Sequence, residues 1–463
     1  MNTMTTGHRA RLTLCAALLA TGGAALAADG PHRPLSEGDA RNGKALYTRE
    51  CSACHGDRGA GDGPAADFLQ PRPRDFTKGL FKLRSTESGT APTTADVLRT
   101  IQRGIPGSAM PSFSFLTEQE RTWLAAYALE KGDLLDSPEP EPIPAPPPAP
   151  PVTPESIAHG KEVYAAQGCV NCHGDRGAGD GPSAKTLVDD DGKPIPPRDL
   201  TTGVFRGGGE RADLYTRIMT GMDGTPMPGY LGSVPPEDRW PLVDYVMSLR
   251  STAPGKPLPK DPVLAGREVV KKYGCRGCHV LDDGKGGDVG PDLRVSGQKL
   301  DPAWVRTFLA DPRAPGKIYP WRPHRMPGIQ IAPEDQAVLA AYVQAMGKRK
   351  VVAPPPDVSA FPAARVEEGK NLYVLRCAQC HQLGKVVETP AATQQGPDLV
   401  SVYGRVDYAW SQQWVLDPKK IDPNTKMTVQ GLTPEQVESV RMFVWKTSAE
   451  QRAGSATAGA GTK

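Results

Sequence analysis

Short stretches that alternate apolar and polar positions at helical spacing recur four times along the chain, each with a glycine near its start. They are Gly43-Lys44-Ala45-Leu46-Tyr47, Gly160-Lys161-Glu162-Val163-Tyr164, Gly266-Arg267-Glu268-Val269-Val270 and Gly369-Lys370-Asn371-Leu372-Tyr373. Apolar residues three or four apart share one face of a helix, so each stretch predicts a short amphipathic helix. A glycine inside a helix costs about 1 kcal/mol relative to alanine, so its recurrence points to close approach by another element. The partner lies downstream. Leu124 with Tyr127, Leu242 with Tyr245, Leu339 with Tyr342 and Val440 with Phe443 predict a second helix in each unit, the aromatic always following the aliphatic by three. Thr117 with Glu120, and Thr433 with Gln436, have the spacing of capping boxes that start two of these helices.

The N-terminus breaks this rhythm. His8, Arg9 and Arg11 precede an apolar run from Leu12 to Ala20, followed by Ala25-Leu26-Ala27. That is the layout of a signal peptide over residues 1–27, cut after Ala27. The run is too short to span a bilayer, and Leu12-Thr13-Leu14-Cys15 lacks the small residue expected before a lipidated cysteine. The mature chain is therefore expected to be periplasmic, with no transmembrane segment after cleavage.

At 463 residues the chain is too long for one ordinary core, and several small domains are expected. Its 50 glycines and 48 prolines, with only 6% aromatics, suit loop-rich domains that pack around something other than a large apolar interior. The formal charge is +3, and no basic patch is interleaved with aromatics, so nucleic acid is not expected as a partner. Neither a twelve-residue calcium loop nor a strand leading into a phosphate-binding loop accompanies the Asp/Gly-rich strings.

The cysteines carry the chemistry. Eight of nine fall in Cys51-Ser52-Ala53-Cys54-His55, Cys169-Val170-Asn171-Cys172-His173, Cys275-Arg276-Gly277-Cys278-His279 and Cys377-Ala378-Gln379-Cys380-His381. Each directly follows one of the glycine-bearing helices. C-x-x-C-H is the attachment pattern of haem c: thiols at i and i+3 share a face and reach two vinyl groups of one porphyrin, and the next imidazole binds iron. Chance predicts about 0.003 such pentapeptides in a chain of this composition. Zinc would need four ligands per ion, which these isolated Cys-Cys-His groups do not supply. Four covalently attached haems are expected, through Cys51, Cys54, Cys169, Cys172, Cys275, Cys278, Cys377 and Cys380, with iron held by His55, His173, His279 and His381.

Glycine-bearing first helix, C-x-x-C-H, Gly-Pro loop, Met and aromatic-bearing last helix together resemble the class I cytochrome c domain, four times over. The resemblance covers nearly all the mature chain apart from linkers and tail. It implies an all-α fold in which the aromatic of the last helix packs on the glycine of the first. It also implies that the carbonyl of a loop proline (Pro64, Pro182, Pro291 or Pro397) accepts the proximal His N–H. For the sixth ligand, a thioether is the usual partner and raises the potential. The methionines are Met110, Met227, Met326 and Met427, which follow their histidines by 55, 54, 47 and 46 residues. Met219 and Met222 compete for the second haem and His324 for the third, while Met247, Met346 and Met442 in the last helices read as core.

The units pair. Cys54 to Pro64 and Cys172 to Pro182 are one identical string, and each is followed by a Pro-Arg-Asp segment (Arg74-Asp75, Arg198-Asp199). Units three and four share Gly-Pro-Asp-Leu and a tryptophan-bearing helix with Trp304 or Trp414. The expected organisation is domains at 28–136, 154–250, 263–347 and 363–447. Between them lie a proline-rich linker at 137–153, shorter joints at 251–262 and 348–362, and a disordered tail at 448–463. An extended polyproline linker rises about 3.1 Å per residue and would span roughly 50 Å, making unit one a swinging outrigger.

The functional expectation is a tetrahaem cytochrome that relays single electrons between periplasmic redox proteins. No paired carboxylates, nucleophile or organised base suggests an enzyme. Two alternatives stay open: an enzyme with one open-coordination haem, for which the fourth site is the place to look, and a tightly bound electron-transfer subunit. Donor, acceptor and oligomeric state are not legible.

Overall fold

The computed structural model describes residues 35–250, 257–313, 326–348, 354–389 and 396–458. The signal peptide, His324, parts of both short joints and the end of the tail lie outside them. The described residues are helical, with isolated bridges but no strand or sheet.

Each C-x-x-C-H motif belongs to its own helical unit. Unit one holds α1 (Glu37–Glu50), α2 (Ser52–His55), α3 (Thr94–Arg103) and α4 (Glu118–Lys131). Unit two holds α5 (Pro154–Ala166), α6 (Val170–His173), α7 (Arg211–Thr220) and α8 (Pro236–Ser248). Unit three holds α9 (Pro262–Tyr273), α10 (Leu293–Lys299), α11 (Pro302–Ala310) and α12 (Pro333–Met346). Unit four holds α13 (Ala363–Arg376), α14 (Tyr408–Leu416), α15 (Pro418–Ile421) and α16 (Pro434–Ala458).

First and last helices cross at the recurrent glycine in every unit. A Cβ on Gly43, Gly160 or Gly369 would collide with the carbonyl of Trp123, Pro241 or Ser439, and one on Gly266 with the ring of Tyr342. The aromatic of the last helix lies against the glycine as well in units one to three, through Tyr127, Tyr245 and Tyr342, whereas in unit four the backbone at Ser439 and Val440 meets it instead. A tyrosine then ties the first helix to the end of the motif. Tyr47, Tyr164 and Tyr373 donate to the carbonyls of Gly56, Gly174 and His381 at 2.8–2.9 Å. Unit three has Val270 at this place, and Tyr342 from α12 donates to Asp282 instead, at 2.5 Å. Both capping boxes form: Glu120 and Gln436 amides donate to the Thr117 and Thr433 hydroxyls, and the Thr amides donate back.

Two expectations need correction. The stretch 137–153 is not a free tether. Ile143 is buried in the unit-two core and its amide donates to Ser85 O of unit one at 2.7 Å. Glu139 accepts from the Thr94 amide, and Pro150 O accepts from Arg211 at 2.7 Å. One apolar side chain and these polar contacts suffice to lay a preformed extended segment along both units, because polyproline has little conformational entropy left to lose. The tail, too, starts as helix. Its Ser448 hydroxyl is buried, donates to Val400 O at 2.5 Å and accepts from the Tyr403 amide at 3.0 Å, while Arg452 donates to Tyr403 O at 3.1 Å.

The units also pack on one another. Arg84 of unit one, fully buried, pairs with Asp223 of unit two at 2.7 Å. Arg313 of unit three pairs with Glu50 of unit one at 2.8 Å, both largely buried. Units three and four join through backbone: Asp301 N donates to Arg405 O at 2.9 Å and Asp407 N to Lys299 O at 2.8 Å. Their tryptophan helices supply cation–π contacts there, Arg405 on Trp304 and Lys299 on Trp410 and Trp414.

Candidate haem sites

Each C-x-x-C-H stretch forms one turn of helical backbone. The second cysteine's amide donates to the first cysteine's carbonyl at 3.1–3.3 Å, and the histidine amide donates to the same carbonyl at 2.9–3.0 Å. None of the eight motif cysteines is in a disulfide. Burial pushes the thiols up, Cys54 and Cys275 to about 12 and Cys169 and Cys377 to about 11. At Cys54 the nearby Cys278 of unit three adds to the rise. Burial holds His55, His173 and His381 below the usual imidazole value, against the opposing pull of a carbonyl partner, which favours the neutral ring that ligates metal.

The carbonyl partners correct the sequence expectation in half the chain. His279 and His381 place Nδ1 at 2.8 and 2.9 Å from Pro291 O and Pro397 O. His55 and His173 instead meet Arg74 O and Arg198 O, at 2.9 and 3.0 Å, and not Pro64 or Pro182. Gly63 and Gly181, next to those prolines, pack on the backbone of the motif turn. One rule unites the four acceptors. Each belongs to the residue just before an aspartate that caps the next helical turn: Asp75, Asp199, Asp292 and Asp398, whose carboxylates accept an amide two residues on at 2.8–2.9 Å. The capped turn aims the preceding carbonyl at the imidazole. The signal was present as Pro-Arg-Asp in units one and two, where the Gly-Pro dipeptide misled. Phe76, in the same segment, stacks on His55 with centroids 4.4 Å apart. With Nδ1 so engaged, iron would be bound through Nε2.

In unit two, Cys169, Cys172, His173 and Met227 line one cavity with Leu214, Ile218, Tyr230, Leu242 and Val246. Met222 lines it too, whereas Met219 is buried in the core. Met110 is half-buried against the unit-one core, and Met326 and Met427 are half-buried in their loops. A shared device holds three of these loops. The Met110, Met227 and Met427 amides each donate to a hydroxyl two residues earlier, Ser108, Thr225 or Thr425, at 3.2 Å. This Ser/Thr-x-Met spacing is visible in the sequence as Ser108-Ala109-Met110, Thr225-Pro226-Met227 and Thr425-Lys426-Met427.

The cavity fits a porphyrin carrying two carboxylates. Arg206 and Arg217 line it, and the Nε of each is buried without a partner. Burial lowers both guanidinium groups to about 10. Lys82 of unit one is lowered to about 8 by burial, with Arg74 and Arg206 adding repulsion. Arg217 spends its Nη groups on Lys82 O, the Thr220 hydroxyl, Gly221 O and Arg84 O, so Arg206 is the guanidinium that an anionic propionate would chiefly satisfy. Replacing Arg206 with methionine is expected to lower the potential of one haem by tens of millivolts. That is the scale of one partly screened positive charge, about 1–2 kcal/mol. A spectroelectrochemical titration of the variant against the parent reads it.

Among known proteins, the family profile described as cytochrome c matches residues 157–250 and 263–347. That of cbb3-type cytochrome c oxidase subunit III matches residues 38–127. The chain is 34% identical over 102 residues to a cytochrome c of Theileria parva, covering 18% of this chain and 84% of that protein. It is 37% identical over 95 residues to cytochrome c 2.1 of Caenorhabditis elegans, covering 16% and 81%. A solved chain from the reducing HAO-like protein complex of Kuenenia stuttgartiensis is 41% identical, covering 47% of this chain and 97% of that one, with a TM-score of 0.44. Family profiles over three separate segments, the C-x-x-C-H turns with carbonyl-held histidines and the all-α fold agree: this chain belongs to the cytochrome c family, whose domains imply covalently bound haem c.

Proposed function

We propose that the protein is an exported tetrahaem cytochrome c that relays single electrons between periplasmic redox proteins, with His/Met-ligated iron in every unit. The observation that carries this reading is the fourfold recurrence of a helical C-x-x-C-H turn whose histidine Nδ1 is fixed by a backbone carbonyl, with Met227 lining the same unit-two cavity as His173. A haem so bound supplies a one-electron couple, and ligation on both faces favours electron transfer over substrate chemistry. The chain's own contribution is positional. The thiols would anchor the ring, the capped carbonyl orients the imidazole and would set its basicity, the Ser/Thr-x-Met loops of units one, two and four would present sulfur, and Arg206 in the unit-two cavity would hold a carboxylate. No helix among the described residues is long and apolar enough to cross a membrane.

Mass spectrometry of exported protein is expected to show four added porphyrin masses, and low-temperature EPR four low-spin His/Met centres. Fewer masses would remove the tetrahaem assignment. A high-spin or bis-histidine centre would move the reading to a haem enzyme.

A further inference from the structure

The spatial order of the units differs from their order in sequence. Among the described residues, the hydrogen bonds and ion pairs leading out of unit two run to unit one or to the segment between them. The two units meet reciprocally: the Arg74 guanidinium lies against Gly224 in the loop before Met227, and the Arg198 guanidinium against Gly107 in the loop before Met110. These are the residues whose carbonyls hold the proximal histidines.

Unit one also meets unit three. Glu50, directly before Cys51, accepts from Arg313 at 2.8 and 3.2 Å. Leu69 packs on Gly277, which sits between Cys275 and Cys278, and Ala109, beside Met110, packs on Gly274. Leu69 thus bridges to the third motif turn, and the Cys54 thiol lies within electrostatic reach of Cys278. Unit three in turn joins unit four through the Lys299–Asp301 and Arg405–Asp407 backbone.

We infer that electrons travel in the order unit two, unit one, unit three, unit four, with Leu69 and Gly277 holding the first motif against the third. The inference rests on the relay function proposed above. Tunnelling rates fall exponentially with distance between redox centres, so contact order and not chain order sets the path. Each hop oxidises one ferrous centre and reduces one ferric neighbour, with no bond made or broken. One-electron carrier proteins supply and remove the electron at units two and four.

The test is flash reduction of the fully loaded protein by a ruthenium complex attached to a cysteine introduced on unit two (Glu162→Cys). Freeze-quench EPR then identifies which centre gains the electron next. The expected sequence is two, one, three, four, and reduction of three before one overturns the order. In Gly277→Gln the wedge parts the motif turns, yet glutamine already occupies the equivalent place, Gln379, in the fourth motif. Transfer from one to three is expected to slow several-fold at full haem content, and an unchanged rate refutes the Leu69–Gly277 contact as the bridge. If the electron never leaves unit two in the unsubstituted protein, the relay function itself fails, and the order with it.

Discussion

Met227→Ala is expected to lower the potential of a single haem by a few tenths of a volt and to create a high-spin ferric signal, while the other centres keep their spectra. The size follows from the chemistry: axial ligands set haem potentials over a range of about 0.8 V, and a thioether favours the reduced state. Met222→Ala is the necessary companion, because Met222 lines the same cavity. The geometry favours Met227. Its amide is pinned by the Thr225 hydroxyl at 3.2 Å, as those of Met110 and Met427 are by Ser108 and Thr425. Redox titration of both variants decides the matter. A large drop in the Met222 variant with none in the Met227 variant would transfer the ligand assignment.

Asp223→Ala is expected to destabilise the junction of units one and two by about 3–5 kcal/mol, the usual cost of leaving one partner of a buried ion pair alone. Asp223 accepts from Arg84 at 2.7 Å, the Ser88 hydroxyl at 2.8 Å and the Gly89 amide at 2.9 Å, all across the junction. Arg84 is fully buried and has no solvent to turn to. The variant should melt earlier, and a protease should cut within 137–153, which lies over the same junction. Asp223→Asn keeps acceptors for Ser88 and Gly89 and should fall between. A melting temperature and cleavage pattern equal to the parent would show that the pair contributes nothing.

These two expectations divide along the line between local and distant information. The motif turns, the amphipathic first helices and the capping boxes were legible because each depends on residues within a few positions of one another, and the crossing glycines, whose partners are distant, showed only through their fourfold recurrence. Their periodicity is the periodicity of the helix itself. The eight thiols and four imidazoles needed only a single turn of backbone to converge.

Where partner and residue lie far apart, local pattern misled. Pro64 and Pro182 match Pro291 and Pro397 as Gly-Pro dipeptides, yet His55 and His173 find Arg74 O and Arg198 O, because a carbonyl is aimed by the aspartate cap that follows it. Ser137 to Thr153 has the composition of a spacer, but Ile143 fills a place in the unit-two core. Ser448 sits in a segment rich in small residues, but Val400 and Tyr403 hold it in the last helix.

By itself, then, the sequence determined the family of this cytochrome, through the C-x-x-C-H pentapeptides that haem c attachment would use, and that each unit pairs a glycine-bearing helix with a later one. Only the tertiary structure decided which carbonyl steadies each imidazole and which unit touches which. Attachment chemistry is written within five consecutive residues. Neighbourhood depends on burial of Arg84, Glu50 and Leu69 against partners more than a hundred positions away, and no local periodicity encodes that.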